Sequence, residues 1–100
     1  MSGKFLQLAQ PGQLHGEVRV TVVTVSGGPS LLPADPLPQR KDYLVYNEGS
    51  DTVYLGGASV TTVSGIPLIS EGTFAAQLGR AELYAVASGT NQTVRVMEIA

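Results

Sequence analysis

Short runs in which apolar and polar residues alternate recur along this chain, each closed by turn-forming residues. An alternation of period two places one set of side chains on each face of a strand, so the pattern predicts strands and not helices. The most defined stretch is Tyr43 to Gly57, Y-L-V-Y-N-E-G-S-D-T-V-Y-L-G-G. Tyr43–Tyr46 and Thr52–Leu55 are β-branched and aromatic, which suits a pleated, half-buried surface. Asn47, Glu48, Gly49, Ser50 and Asp51 lie between them and favour a turn, so the stretch reads as a β-hairpin stopped by Gly56-Gly57.

The remaining segments fall into place around it. Met1 to Gly16 predicts an arm, because Gln7, Gln10, Pro11, Gly12 and Gln13 interrupt any period set by Phe5, Leu6 and Leu8. Extended, such a segment reaches about 50 Å, enough to lie on a neighbouring subunit; a short edge strand from Lys4 to Leu8 is the alternative. Glu17–Ser26 is a strand with Val18, Val20 and Val22 on one face and Glu17, Arg19 and Thr21 on the other. Val23 and Val25 then fall on the polar side, which calls for a register-switching bulge or for cover on both faces. Ser30–Gln39 carries three prolines and reads as an extended crossover touching the core with Leu31, Leu32 and Leu37. Arg40, Lys41 and Asp42 read as a solvated lead-in. Ile66–Ile69 (Pro67 at an edge), Thr73–Leu78, Leu83–Ala87 and Thr93–Ile99 complete the strands, with Val60 and Val63 in a short strand or a pinned loop. Strands at this spacing with Gly-rich turns predict an all-β domain, a small sandwich or barrel, over residues 17–100 behind an arm at 1–16.

Charge and composition narrow the function. Charged residues are 14% of the chain and the net charge is −2, while a globular domain usually has about 25% charged residues. A surface so poor in charge suits a domain partly covered by something else. Six basic residues without a cluster do not supply the counterion release that nucleic-acid binding needs. No apolar run reaches the length of a membrane span, and the first ten residues lack the apolar core of a signal peptide. Cysteine is absent, which removes thiolate nucleophiles, thiolate metal sites and disulfides.

Little in the sequence carries catalytic or ligand chemistry. His15 is the one histidine and has no partner nearby in the chain. Asn47, Glu48 and Asp51 bring three oxygen-bearing side chains into one loop, compatible with a cation or with plain turn formation. The eight acids read as turn and polar-face residues. No glycine pair opens a helix that could hold a phosphate, and Asn91-Gln92-Thr93 fits a glycosylation acceptor only in a secreted chain. No cofactor, metal or catalytic residue is therefore expected, and the domain reads as a binding or structural module. Tyr43, Tyr46, Tyr54 and Tyr84 are the recognition candidates, since tyrosine is enriched at interfaces. By alternation Tyr54 and Tyr84 point outward, as a subunit contact, a sugar-stacking platform or simply half-exposed rings.

An ordered series of motifs extends from Leu32 to Glu98: L-P-A-D-P-L from Leu32, Arg40-Lys41, N-E-G at Asn47, T-V-Y-L-G-G from Thr52, V-T-T from Val60, G-I-P-L from Gly65, L-Y-A from Leu83, G-T at Gly89 and V-R-V-M-E from Val94. In this the chain resembles a group of small phage virion structural proteins of the capsid-decoration and head-fibre kind. The resemblance implies a virion component on the capsid surface that binds the major capsid protein and self-associates, with a homotrimer favoured. It also implies an arm or extended edge that grips neighbours; together with the two outward tyrosines, the candidate interface residues are Phe5, Leu6, Leu8, Tyr54 and Tyr84. A tail, baseplate or head-fibre module binding host-surface carbohydrate is the alternative.

Overall fold

The computed structural model describes residues 16–100. The expected arm, with Phe5, Leu6, Leu8 and His15, lies outside the described residues except for Gly16. Eight strands follow in order: β1 (Val18–Val25), β2 (Ser30–Leu31), β3 (Asp42–Asn47), β4 (Val53–Gly56), β5 (Ile66–Leu68), β6 (Thr73–Ala76), β7 (Tyr84–Ala87) and β8 (Gln92–Ile99). They form two four-stranded sheets in the orders β1-β8-β3-β6 and β2-β7-β4-β5, hereafter sheet A and sheet B. Every pairing is antiparallel. The chain changes sheet at nearly every connection, which makes the sandwich a jelly roll. No helix occurs among the described residues.

The expected hairpin from Tyr43 to Leu55 does not form. β3 pairs with β8 and β6 in sheet A, whereas β4 pairs with β7 and β5 in sheet B. The turn between them is an arch from one sheet to the other. Both strands carry apolar residues in alternate positions, and both turn those residues to the common interior: Tyr43 and Val45 from one side, Val53 and Leu55 from the other. Two strands that each bury a face gain more by facing each other across the sandwich than by lying edge to edge. Asn47 holds the arch. Its Nδ2 donates to the carbonyls of Asp51 (2.8 Å) and Leu68 (3.0 Å), and its Oδ1 accepts from the amide of Gly49 (2.9 Å). Gln92 closes the other side by accepting from the Asp51 amide. Gly49 is required where it stands, because a Cβ there would lie 2.1 Å from Gln92 Oε1.

β1 keeps the expected alternation with inverted polarity. Its register against β8 is continuous from Val18 opposite Ile99 to Val25 opposite Gln92, with no bulge. Val18, Val20 and Val22 therefore face outward and are more than half exposed. Arg19, Thr21, Val23 and Val25 face the interior. Arg19 can occupy the inner face because Glu98 waits opposite it on β8. The core is formed by Val25, Leu32, Tyr43, Val45, Val53, Leu55, Leu68, Ala85, Ala87, Val94 and Val96. Leu32 and Leu37 of the Pro-rich crossover are buried and Pro67 sits on the edge strand β5, as the sequence predicts.

The two faces of β1 and β8 yield a direct comparison. Val96→Ala removes two fully buried methyl groups and costs about 2–3 kcal/mol, while Val20→Thr in the isolated chain changes stability by no more than about 0.5 kcal/mol. Asn47→Ala leaves buried carbonyls unpaired and costs about 2–4 kcal/mol. Urea unfolding of the three variants checks the order.

Candidate interaction surface

The described residues hold one concentrated set of charges, and it is buried. Glu98 is fully enclosed. Its Oε2 accepts from Arg40 Nη1 at 2.8 Å and from the Leu37 amide at 2.9 Å, and its Oε1 accepts from Arg19 Nη2 at 3.2 Å. Arg40 is not the solvated residue the sequence suggested. It is 5% exposed, stacks 4.6 Å from the centre of the Tyr43 ring, and donates to the carbonyls of Gly79 and Ala81. Tyr43 is likewise no recognition residue; it is buried, and its hydroxyl donates to the Leu32 carbonyl. Burial raises the Tyr43 pKa, Arg40 opposes this and Glu98 adds to it, so the phenol stays a neutral donor.

Glu98 is subject to opposing effects. Burial pushes its pKa up, but the Leu37 amide, Arg40 and Arg19 together hold it below the ordinary 4.5. A carboxylate with both oxygens occupied and no solvent has no vacancy for a substrate. The cluster is a fastening between strands, and the structure shows no reacting group beside it. The loop at 47–51 is similarly occupied, with the Asn47 amide spent on backbone groups. Among the described residues no three His, Cys, Asp or Glu side chains come together to hold a metal ion.

Exposed surface offers more. The outer face of sheet B is capped by the chain itself. The loop from Gly57 to Gly65 folds back and buries Val60 against Gly56 and Gly65, where a Cβ on either glycine would meet Val60 Cγ2 within 2.8 Å. Tyr54 lies beneath this flap, with its Cβ at 2.7 Å from the same position on Gly65. Tyr54 pairs with Val86 and Tyr84 with Gly56, so both tyrosines share this outer face, and both are half-buried.

Sheet A has no such cap among the described residues. The register aligns Val20 of β1 with Met97 of β8, Leu44 of β3 and Ala75 of β6. This apolar row crosses all four strands on the outer face. On one side of it lie Val18, Ile99 and Asp42; on the other lie Val22, Arg95, Tyr46 and Thr73. The small side chains of Ala75 and Ala76 leave a shallow depression of about 400 Å³ beside Leu44, Met97 and Ile99. Sequence reasoning missed Val20, Leu44 and Met97 because alternation separates the two faces of a strand without aligning one strand with the next. The available signal was on β8, where Glu98 shares the phase of Val94 and Val96. Val63, Ile66 and Ile69, in and around β5, are exposed as well.

No family model and no characterised protein matches the chain in sequence. A solved structure of Bacillus endospore appendages, described as a novel family of disulfide-linked pili, is similar in fold, with a TM-score of 0.55 at 16% identity over 84% of this chain and 83% of that one. At this identity the likeness shows the fold. The absence of cysteine separates this chain from disulfide linkage of that kind.

Glu98→Gln leaves Arg40 buried without its counter-charge and is expected to cost about 3–5 kcal/mol at neutral pH. In the unaltered protein the Glu98 contribution is complete above the ordinary carboxyl value and is lost as pH falls through the lower folded value. Chemical denaturation between pH 2 and 7 is therefore expected to show an acid limb that is shallower in the variant.

Proposed function

We propose that the protein is a structural subunit that acts by assembly, as a phage virion component decorating the outer surface of the head. The observation that carries this reading is the apolar outer face of sheet A, which no described residue covers, on a fold whose opposite outer face is capped by its own loop. An apolar row across four strands, with few charges around it, is the kind of surface that marks a protein–protein contact. The motif series from Leu32 to Glu98 supports a virion setting and a major capsid protein as partner. On a lattice each weak contact becomes effectively intramolecular once a first one is made, so a face too small for tight binding alone suffices. The arm, with Phe5, Leu6 and Leu8, supplies a further contact in this reading.

A second reading has a specific observation in its favour. The fold likeness to the endospore appendage suggests a subunit whose assembly partner is further copies of itself, outside a cell. The carbohydrate-binding reading fits the geometry less well, since both tyrosines it would use are half-buried and the flap over sheet B packs against Tyr54.

Mixing the purified chain with undecorated heads from the source tests the proposal, with bound protein measured by co-sedimentation and its position by immunogold microscopy. Label over the head is the expected result. Deleting residues 1–10 is expected to leave a folded domain with weaker head binding. No association with heads, together with filaments of the pure chain, would replace the decoration reading with the second one.

A further inference from the structure

We infer that the outer face of sheet A is a twofold contact between two copies of this chain. The inference rests on the assembly reading and names the occupant of its main surface. It departs from the threefold association that the sequence resemblance implies.

The argument comes from the order of residues on the face. The central row, Val20–Met97–Leu44–Ala75, is apolar throughout. The row on one side carries the carboxylate of Asp42, which is exposed apart from a bond to Gln77 at 3.3 Å. The row on the other side carries the guanidinium of Arg95, half-exposed and paired through Nε with Glu48. Consider two such faces related by a twofold axis that runs along the central row. Each strand then lies over its own copy with reversed direction. Leu44 meets Leu44, Met97 meets Met97 and Val20 meets Val20. Asp42 of one copy comes over Tyr46 of the other, beside Arg95, whose remaining N–H groups can donate to it. The face is thus complementary to itself when reversed, which is what an isologous contact requires.

Charge also fixes the register. Glu48 lies one row beyond Arg95, beside Thr93, whose carbonyl accepts from its amide. If the axis moves half a row towards Arg95, Asp42 lies over Glu48 and two carboxylates oppose each other. Like charges brought together in this way disfavour the shifted pairing. The central-row register is the one that joins apolar to apolar and acid to base.

Size sets the expected strength. Four strands spaced about 4.8 Å apart, with three rows about 7 Å apart, present roughly 300–400 Å² per copy. A stable interface takes about 800 Å² per partner, so the pair should be weak in solution, with a dissociation constant in roughly the micromolar to millimolar range. On a particle surface the local concentration would hold it closed.

Sedimentation equilibrium of the full chain up to about 1 mM tests the inference. The expected result is a monomer–dimer equilibrium. Val20→Lys, at a position 55% exposed, is expected to weaken it at least tenfold with an unchanged circular dichroism spectrum. Arg95→Asp is expected to do the same, and Asp42→Arg added to it is expected to restore dimerisation. A monomer at every concentration, a trimer, or a dimer indifferent to Val20→Lys would overturn the inference. None of these results depends on heads: a dimer that binds no head sinks the decoration reading alone, and a head-binding monomer sinks the twofold contact alone.

Discussion

Glu98 sits where four parts of the chain meet. Through Arg19 it ties β1 to β8, through Arg40 it reaches the Gly79–Ala81 turn, and through the Leu37 amide it fixes the Pro-rich crossover. Arg40 extends the same fastening to Tyr43, whose hydroxyl is anchored on Leu32. A core of valines, leucines and alanines with one tyrosine offers little shape to specify a single packing. The ion pairs and their hydrogen bonds supply direction that apolar contact lacks. The buried pair is weak as a source of net stability, because removing both charges from water offsets much of their attraction. Its consequence is positional: a crossover with no regular hydrogen-bonded partner along most of its length has a defined place against the end of the sandwich.

The same choice explains why the outer faces differ. On the inner face of β1, Arg19 takes a position that an apolar residue would ordinarily fill, and the valines go outside. Sheet B solves the problem of an apolar outer face with chain, by folding residues 57–65 over Tyr54 and Gly56. Sheet A spends no chain on its outer face within the described residues. Among the described residues, the sandwich therefore has one outer face covered by its own chain and one that stays apolar and exposed.

Much of the architecture was legible in the sequence and much of the placement was not. Strand positions followed from period-two alternation and from the glycines and prolines between them, and β5 with Pro67 and the crossover with Leu32 and Leu37 behaved as read. Pairing was not legible, because alternation says that a strand has two faces and does not say which strand lies beside it. β3 and β4 are near in sequence and look like a hairpin, yet β3 pairs with β6 and β8 and β4 with β5 and β7, in different sheets. Which face turns inward was misread on β1, where three valines outnumber the inner pair, Val23 and Val25. The deciding fact was a partnership across 79 residues between Arg19 and Glu98, which no local window contains. The apolar row on the outer face of sheet A was missed for the same reason: Val20, Leu44 and Met97 align only after three strands have been set in register.

The pairing of β1 with β8 continues past both strand ends, where the Glu17 and Ala100 backbones exchange two hydrogen bonds. Residues 17 and 100 are therefore neighbours at one corner of the sandwich, next to Val18 and Ile99. A short peptide bridge could join the two positions and let the chain be cut elsewhere, at the exposed Ser88–Asn91 loop for example, with the same sheets in a new order of synthesis. The Ser88–Asn91 loop joins β7 to the start of β8, opposite Val25, so a break there would place the new ends at the opposite pole from residues 17 and 100.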